Sequence, residues 1–127
     1  MPNYYFWTLT GYFYCIYNKN MKYEWDDDKQ RINLIKHGID FQVALEFEWD
    51  TALETVDDRR DYAESRWVAL GLVKDRLYVL VYTIRVENIR VISLRKANKR
   101  EVQFYENKTK KYYSNRLGRN GFSSSLR

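Results

Sequence analysis

Arginine is the residue type in this sequence whose placement best suits chemistry. Arg66, Arg85, Arg90, Arg95 and Lys96 all lie on, or at the ends of, three successive predicted strands. A guanidinium keeps its charge at every physiological pH and can bind a phosphate through two hydrogen bonds. A sheet lined with such groups could hold an RNA backbone and stabilise the charge that builds on phosphorus during cleavage. Each arginine taken alone is better explained as an ordinary surface charge.

Cleavage of RNA needs no metal when the 2′-hydroxyl attacks its own phosphate. That reaction needs a base for the hydroxyl proton, an acid for the leaving 5′-oxygen, and cations for the phosphate. His37, the only histidine, and Glu64 are the candidate bases, while Arg85 and Arg95 are the candidate cations. Tyr82 could stack on a nucleobase or assist a proton transfer.

Structural roles compete with these assignments. An ion pair within residues 57–66 is the more common role for Glu64, and a core aromatic position explains Tyr82 equally well. His37 directly precedes Gly38, where a helix is predicted to end, and the negative pole of the helix dipole there favours imidazolium. A charged His37 suits a phosphate ligand or a general acid better than a resting base, and it also suits a purely structural cap.

Other kinds of site find no support in the sequence. It has no glycine-rich phosphate loop and no cluster of metal ligands, so we expect neither a cofactor nor a metal. The single cysteine, Cys15, cannot form an internal disulfide and fits a reducing cytoplasm. The first 20 residues lack the features of a signal peptide, and their apolar run is too short to span a membrane.

Charge is distributed unevenly along the chain. Residues 23–64 hold 13 acids and 5 bases, a net charge of −8, whereas residues 85–111 hold 9 bases and 3 acids, a net charge of +6. The second half therefore attracts polyanions, and the first half repels them. This asymmetry indicates either a nucleic-acid face or an oppositely charged protein partner.

The helices that must position these residues have clear boundaries. One of the three aspartates at 26–28 is expected to cap a helix that ends before Gly38, with Ile32 and Ile35 on one face. Asp40 is expected to cap a second helix over residues 41–47. A last helix is predicted from residue 97 to about residue 107.

The strands are predicted from apolar runs joined by short links. They cover residues 22–25, 51–56, 67–73, 77–84 and 89–94. Short links join antiparallel neighbours, so the last three form a meander in which residues 77–84 are central and covered on both faces. In the strand over residues 89–94, strict alternation places Val91 and Leu94 on opposite faces.

The predicted fold class is α+β, with two N-terminal helices, an antiparallel β-meander sheet and a C-terminal helix. The working domain is expected to cover residues 21–108, with Met21 as a possible second start. An aromatic leader, residues 1–20, precedes it, and a basic flexible tail, residues 109–127, follows it.

Five sequence blocks occur in order between residue 22 and about residue 106. They are W-D, N-x-x-K-H-G-I-x-F-x-x-A, D-x-R-x-x-Y-x-E-x-R, V-Y-T-x-R and R-x-I-S-x-R-K-A. The second block holds His37, the third ends in Glu64 and Arg66, and the fourth holds Tyr82 and Arg85. In this order and over this span, the sequence resembles the BrnT family of bacterial type II toxins.

The resemblance implies a metal-independent endoribonuclease with a RelE-like fold that inhibits translation in the cytoplasm. Its partner would be a BrnA-like antitoxin with a ribbon-helix-helix domain, and operator DNA would be contacted only through that antitoxin. The resemblance also favours a functional His37. The implied catalytic residues are His37, Glu64, Arg66, Arg85 and Arg95, and the implied RNA-binding residues are Tyr82, Arg90 and Lys96.

Two other interpretations remain open at this point. The basic sheet could bind nucleic acid, or the antitoxin, without cutting RNA. Alternatively, the acidic first half could make the chain a protein–protein interaction domain. If the sheet only binds nucleic acid, the affinity for nucleic acid and its salt dependence should fall gradually as single charges are removed.

Overall fold

The computed structural model describes residues 22–57 and 63–117. The predicted leader and the candidate start Met21 lie outside these ranges. The elements in chain order are β1 (Tyr23–Trp25), α1 (Asp27–His37), a 3₁₀ helix (Phe41–Glu46), a 3₁₀ turn (Trp49–Thr51), β2 (Leu53–Val56), β3 (Trp67–Val73), β4 (Arg76–Arg85), β5 (Asn88–Lys96) and α2 (Lys99–Leu117). The α+β prediction is confirmed, and the RelE-like fold implied by the resemblance stays a prediction.

The helix α1 begins and ends where the sequence predicts. The Asp26 carboxylate accepts hydrogen bonds from the backbone N–H groups of Asp28 (2.8 Å) and Lys29 (3.2 Å). These bonds satisfy amides that have no partner within the helix. Gly38 closes the other end with a φ of 73°, in the left-handed region that a residue without Cβ adopts at no steric cost.

A polar side chain, Asn33, attaches α1 to the sheet. Its amide nitrogen donates to the carbonyl oxygens of Leu94 (2.8 Å) and Ile39 (3.1 Å), and its amide oxygen accepts from the Leu94 N–H (3.2 Å). Asn33 thus completes the backbone ladder of β5 beyond the end of β1, and it fixes the rotation of the helix about its axis.

The second predicted helix forms as a 3₁₀ helix instead of an α-helix. Asp40 caps it as predicted, accepting from the Gln42 N–H at 2.8 Å. Phe41, Ala44 and Phe47 are buried at spacings of three residues. That spacing matches the three-residue turn of a 3₁₀ helix, so the tighter helix buries all three side chains on one side.

The five strands form one sheet in the order β1-β5-β4-β3-β2. The meander from β2 to β5 is antiparallel, and β4 is the middle strand, as predicted. The prediction of a wholly antiparallel sheet is wrong at one edge, because β1 pairs with β5 in parallel. A pairing between strands so distant in the chain leaves no local sequence signal.

A bulge in β5 overturns the predicted alternation of that strand. The ladder to β4 shifts by one residue, so Leu94 joins Val91 in the same hydrophobic cluster. The shift also brings Arg90 and Arg95 to the same face, although they are an odd number of positions apart. Both arginines therefore lie opposite the face that α1 covers.

Each face of the sheet carries its own hydrophobic cluster. The α1 face, named for the helix beside it, buries Phe41, Trp49 and Tyr82. The α2 face buries Leu70, Val79 and other residues under Tyr105 of α2. The α2 face has mainly charged or polar side chains near the β4–β5 hairpin.

The helix α2 starts with a reciprocal cap. The Glu101 N–H donates to the Asn98 side-chain oxygen (2.8 Å), and the Asn98 N–H donates to the Glu101 carboxylate (2.9 Å). These two bonds satisfy both amides at the helix start. The sequence analysis did not identify this cap.

The helix α2 runs to Leu117, ten residues beyond its predicted end near Asn107. The predicted end of the helix is therefore wrong, residues 109–117 of the predicted tail are helical, and Thr109 is fully buried. No glycine or proline interrupts the chain between residue 99 and Gly118, so nothing ends the helix earlier. Residues 118–127 lie outside the described ranges.

Candidate functional site

A row of charged and polar residues crosses all five strands on the α2 face near the β4–β5 hairpin. In sheet order it consists of Glu24, Arg90, Thr83, Arg66 and Asp57, and we name it the transverse row. The register pairs the first three residues directly. The ladders of β3 continue to the last two, since the Asp57 N–H donates to the Arg66 carbonyl at 2.8 Å. Two arginines thus flank one threonine, with an acid outside each.

Arg90 is oriented by the edge strand. Its Nη1 lies 3.0 Å from Glu24 Oε2, and Asn88 donates to the other oxygen of the same carboxylate at 3.2 Å. The Asn88 bond first, and then Arg90, lower the pKa of Glu24. The Arg90 side chain remains 24% exposed, so part of the guanidinium faces solvent.

Thr83, at the centre of the row, anchors the segment that leads into β3. Its hydroxyl donates to the Ser65 carbonyl at 2.6 Å, and the residue is buried. This bond places Ser65, and with it Glu64 and Arg66, beside the end of β4. Arg66 is half-buried, next to the buried Asp57.

Arg85 and Glu64 form an ion pair beside the row, on the side nearer the β4–β5 hairpin. The guanidinium donates to the two carboxylate oxygens at 3.2 and 3.3 Å. Both side chains are about one-third to one-half exposed, so water screens the pair and it can exchange for other partners. The ion pair expected for Glu64 thus forms with an arginine outside residues 57–66.

Arg95 does not belong to this group. Its guanidinium makes two hydrogen bonds, at 2.9 and 2.8 Å, to the carboxylate of Glu101, the same group that caps α2. Burial alone would raise the pKa of Glu101, but the bonds from Arg95 and Asn98 outweigh it and lower the pKa. This geometry gives Arg95 a structural role at the start of α2.

His37 lies near Arg95 and away from the transverse row. Partial burial first, then the charges of Lys36 and Arg95, lower the pKa of the imidazole. The expectation that the helix dipole keeps His37 charged is therefore wrong, because burial and two cations oppose it. The lowered pKa favours the neutral imidazole, which can accept a proton and so suits a base better than an acid.

The predicted site residues therefore fall into two groups at opposite ends of β5. The hairpin end holds Glu64, Arg66, Arg85 and Arg90. The end where β5 meets α2 holds His37, Arg95 and Lys96. Five steps of about 3.3 Å along the extended strand lead from Arg90 to Arg95, a distance of about 16 Å. Lys96 is exposed beside Arg95. One phosphate cannot contact both ends.

Tyr82 is not placed to bind RNA. The residue is completely buried on the α1 face, its ring packs edge-on against Trp49, and its hydroxyl donates to the buried Glu54 carboxylate. No face of the ring is open to a nucleobase. Burial raises the pKa of Glu54 to about 7, although the Tyr82 bond opposes the shift.

Sequence reasoning did not identify Glu24, Thr83 or Asn88 as site residues. Thr83 lies within the V-Y-T-x-R block, so that block contained a signal. No sequence pattern indicated Glu24, because its contact with Arg90 depends on the parallel pairing of β1 with β5.

Comparison with protein families identifies the family of this chain. The model of the ribonuclease toxin BrnT, of type II toxin–antitoxin systems, matches residues 25–101, which is more than half of the chain. The chain is a member of the BrnT family. No curated protein matches it. The matched range includes four residues of the transverse row, Asp57, Arg66, Thr83 and Arg90, together with Arg85, while Glu24 lies one residue outside it.

Within residues 22–57 and 63–117, no three His, Cys, Asp or Glu side chains lie close enough together to hold a metal ion. No helix in the same ranges is long and apolar enough to cross a membrane.

Proposed function

We propose that this chain is a toxin that cleaves RNA in the cytoplasm at the transverse row and thereby inhibits translation. The observation that carries the proposal is the placement of Arg66 and Arg90 on either side of Thr83, with Arg85 beside them. Three guanidinium groups on one partly exposed face can bind the oxygens of a phosphate and stabilise its developing charge.

The proposed chemistry is attack by the 2′-hydroxyl of the substrate on its own phosphate. The 2′-oxygen forms a bond to phosphorus while the bond to the 5′-oxygen breaks, leaving a cyclic phosphate. Glu64 is the proposed base, because its carboxylate lies 3.2 Å from Arg85 beside the row. The 5′-oxygen takes its proton from water. No step in this scheme requires a metal.

His37 is the competing base. Its lowered pKa leaves a neutral imidazole at neutral pH, and Lys36 and Arg95 nearby could attract a phosphate. We favour Glu64 because Arg95 is held by both oxygens of the largely buried Glu101, whereas the Arg85–Glu64 pair is more exposed. Substitution of each residue distinguishes the two bases.

We further propose a BrnA-like antitoxin with a ribbon-helix-helix domain as the partner, and operator contact only through it. Membership of a toxin–antitoxin family supports an antitoxin in general. The acidic charge of residues 23–64 supports a partner with basic segments.

The test is incubation of purified full-length chain with total RNA in EDTA, beside Arg66→Ala/Arg90→Ala and Arg100→Ala variants. Arg100 is an exposed arginine on α2 and serves as the matched control. The proposal predicts cleavage, with cyclic-phosphate ends, by the wild type and the control only. RNA binding by all three proteins without cleavage, also when ribosomes are added, would instead indicate a non-catalytic module.

A further inference from the structure

The helix α1 presents its aliphatic side chains to solvent. Its one buried residue is the polar Asn33, whereas Ile32, Leu34 and Ile35 are 57%, 45% and 80% exposed. A surface helix normally does the reverse, with apolar residues facing the core and polar residues facing water. Ile32 and Ile35 are three residues apart and share one side of the helix, and large aliphatic side chains exposed together mark an interaction surface.

This orientation is fixed by the fold. The Asn33 amide makes three hydrogen bonds, two to the Leu94 backbone and one to the Ile39 carbonyl. Rotation of α1 to bury the isoleucines would break these bonds and leave buried polar groups without partners. The isoleucines can therefore be covered only from outside.

The segment that follows α1 is acidic. Leu45 is 52% exposed on the 3₁₀ helix of this segment. Residues 26–50 contain seven acids and three bases, all three bases lie on α1, and residues 40–50 contain four acids and no base. Partial burial and the neighbouring Asp50 charge raise the pKa of Glu48, so like charges are crowded there. A cationic partner would relieve that repulsion.

We propose that the side of α1 formed by Ile32 and Ile35, which we name the α1 surface, binds an amphipathic helix of the antitoxin. The apolar side of that helix would cover the isoleucines, and its basic side would face the acids of residues 40–50. The proposal takes its partner from the proposed toxin–antitoxin function, but it is independent of RNA cleavage. Since the α1 surface lies off the α2 face, docking here anchors the antitoxin without using the transverse row.

The test uses the cognate antitoxin, purified from its complex with this chain, and titration calorimetry against three full-length proteins. The Ile32→Glu/Ile35→Glu variant adds two charges to the α1 surface. Its affinity for the antitoxin should be at least about 100-fold weaker, because buried anchor residues dominate such interfaces. Val86→Glu is the matched control, since Val86 is 92% exposed at the β4–β5 hairpin, and its affinity should stay within about threefold of the wild type.

Melting temperature and RNA cleavage are measured on the same proteins. Unchanged melting of the α1 variant excludes misfolding as the cause of weaker binding. Equal affinity of the two variants for the antitoxin would overturn the proposal. Self-association of the free chain that the α1 variant abolishes would also overturn it, because a second copy would then cover the surface. Lost antitoxin binding with no cleavage by any protein would refute the nuclease and support the docking surface.

Discussion

The two ends of β5 carry similar arginines in different settings. At the hairpin end, Arg90 meets Glu24, and both side chains remain about a quarter to a third exposed. At the other end, Arg95 meets Glu101, whose side chain is only 11% exposed and also caps α2. The arginines themselves do not explain the difference, since Arg95 is 35% exposed and Arg90 24%; the two ends differ in the burial of the acid.

This difference indicates that the burial of the paired acid determines whether an arginine can exchange that acid for a phosphate. A guanidinium paired with an exposed carboxylate can exchange that partner for a phosphate at small cost, because water screens both states. A guanidinium bound through both arms to a largely buried carboxylate cannot leave without stranding that charge. Four substitutions can sharpen or break this comparison.

The largest effect is expected from Arg66→Ala/Arg90→Ala. Loss of two phosphate-binding cations should lower the rate of RNA cleavage by about 1,000-fold or more. The variant should remain folded, because the side chains of both arginines are only partly buried. Single-turnover cleavage and urea unfolding of the same protein test both expectations. Full activity in the variant would remove the transverse row as the site.

The next effect concerns the opposite face of the sheet, at Glu54. Because the folded state raises its pKa from 4.5 to about 7, protonated Glu54 is favoured by folding. Its cost to stability is absent below about pH 4.5, grows up to about pH 7 and then stays constant. Glu54→Gln should be as stable as the wild type at pH 4.5 and about 3 kcal/mol more stable at pH 8. Urea unfolding at both pH values measures this, and parallel pH curves would contradict the pKa.

A smaller loss of stability is expected from Arg95→Ala. Removal of the partner of the capping carboxylate should lower the free energy of unfolding by about 2 kcal/mol. RNA cleavage should stay within about threefold of the wild type at temperatures where the variant is folded. Arg100→Ala, on the exposed side of α2, should change neither quantity. A cleavage rate 100-fold lower with unchanged stability would make Arg95 a catalytic cation after all.

The smallest effect on cleavage is expected from His37→Asn. If Glu64 is the base, the rate should fall by less than about fivefold, and Glu64→Gln should lose about 100-fold or more. The pH–rate profiles separate the two bases, because a histidine base would make the rate drop near its lowered pKa, below 6.5. A profile that follows the His37 substitution would move the chemistry to the other end of β5.

Local features of the fold could be predicted from the sequence because short-range rules decide them. Asp26, Asp40 and Gly38 act at helix ends as predicted, and the apolar runs of the meander form the strands expected of them. The arginines of the hairpin end were identified for the same reason, since a tight turn brings neighbouring strand ends together.

The remaining features depend on contacts between distant segments. The parallel pairing of β1 with β5 brings Glu24 to Arg90, and the bulge in β5 turns Arg95 toward Glu101. Neither contact follows from periodicity or propensity. Tyr82 was assigned to RNA because a strand position alone does not show which face is covered.

The central claim is that phosphate binds at the hairpin end of β5. The most direct measurement is an NMR titration of the full chain with a short RNA whose 2′-hydroxyls are methylated, so that it cannot be cleaved. We expect the Nε–H signals of Arg66, Arg85 and Arg90 to shift at the same RNA concentration, while that of Arg95 stays in place. A shift of Arg95 together with the His37 ring, without a change at Arg90, would contradict the claim.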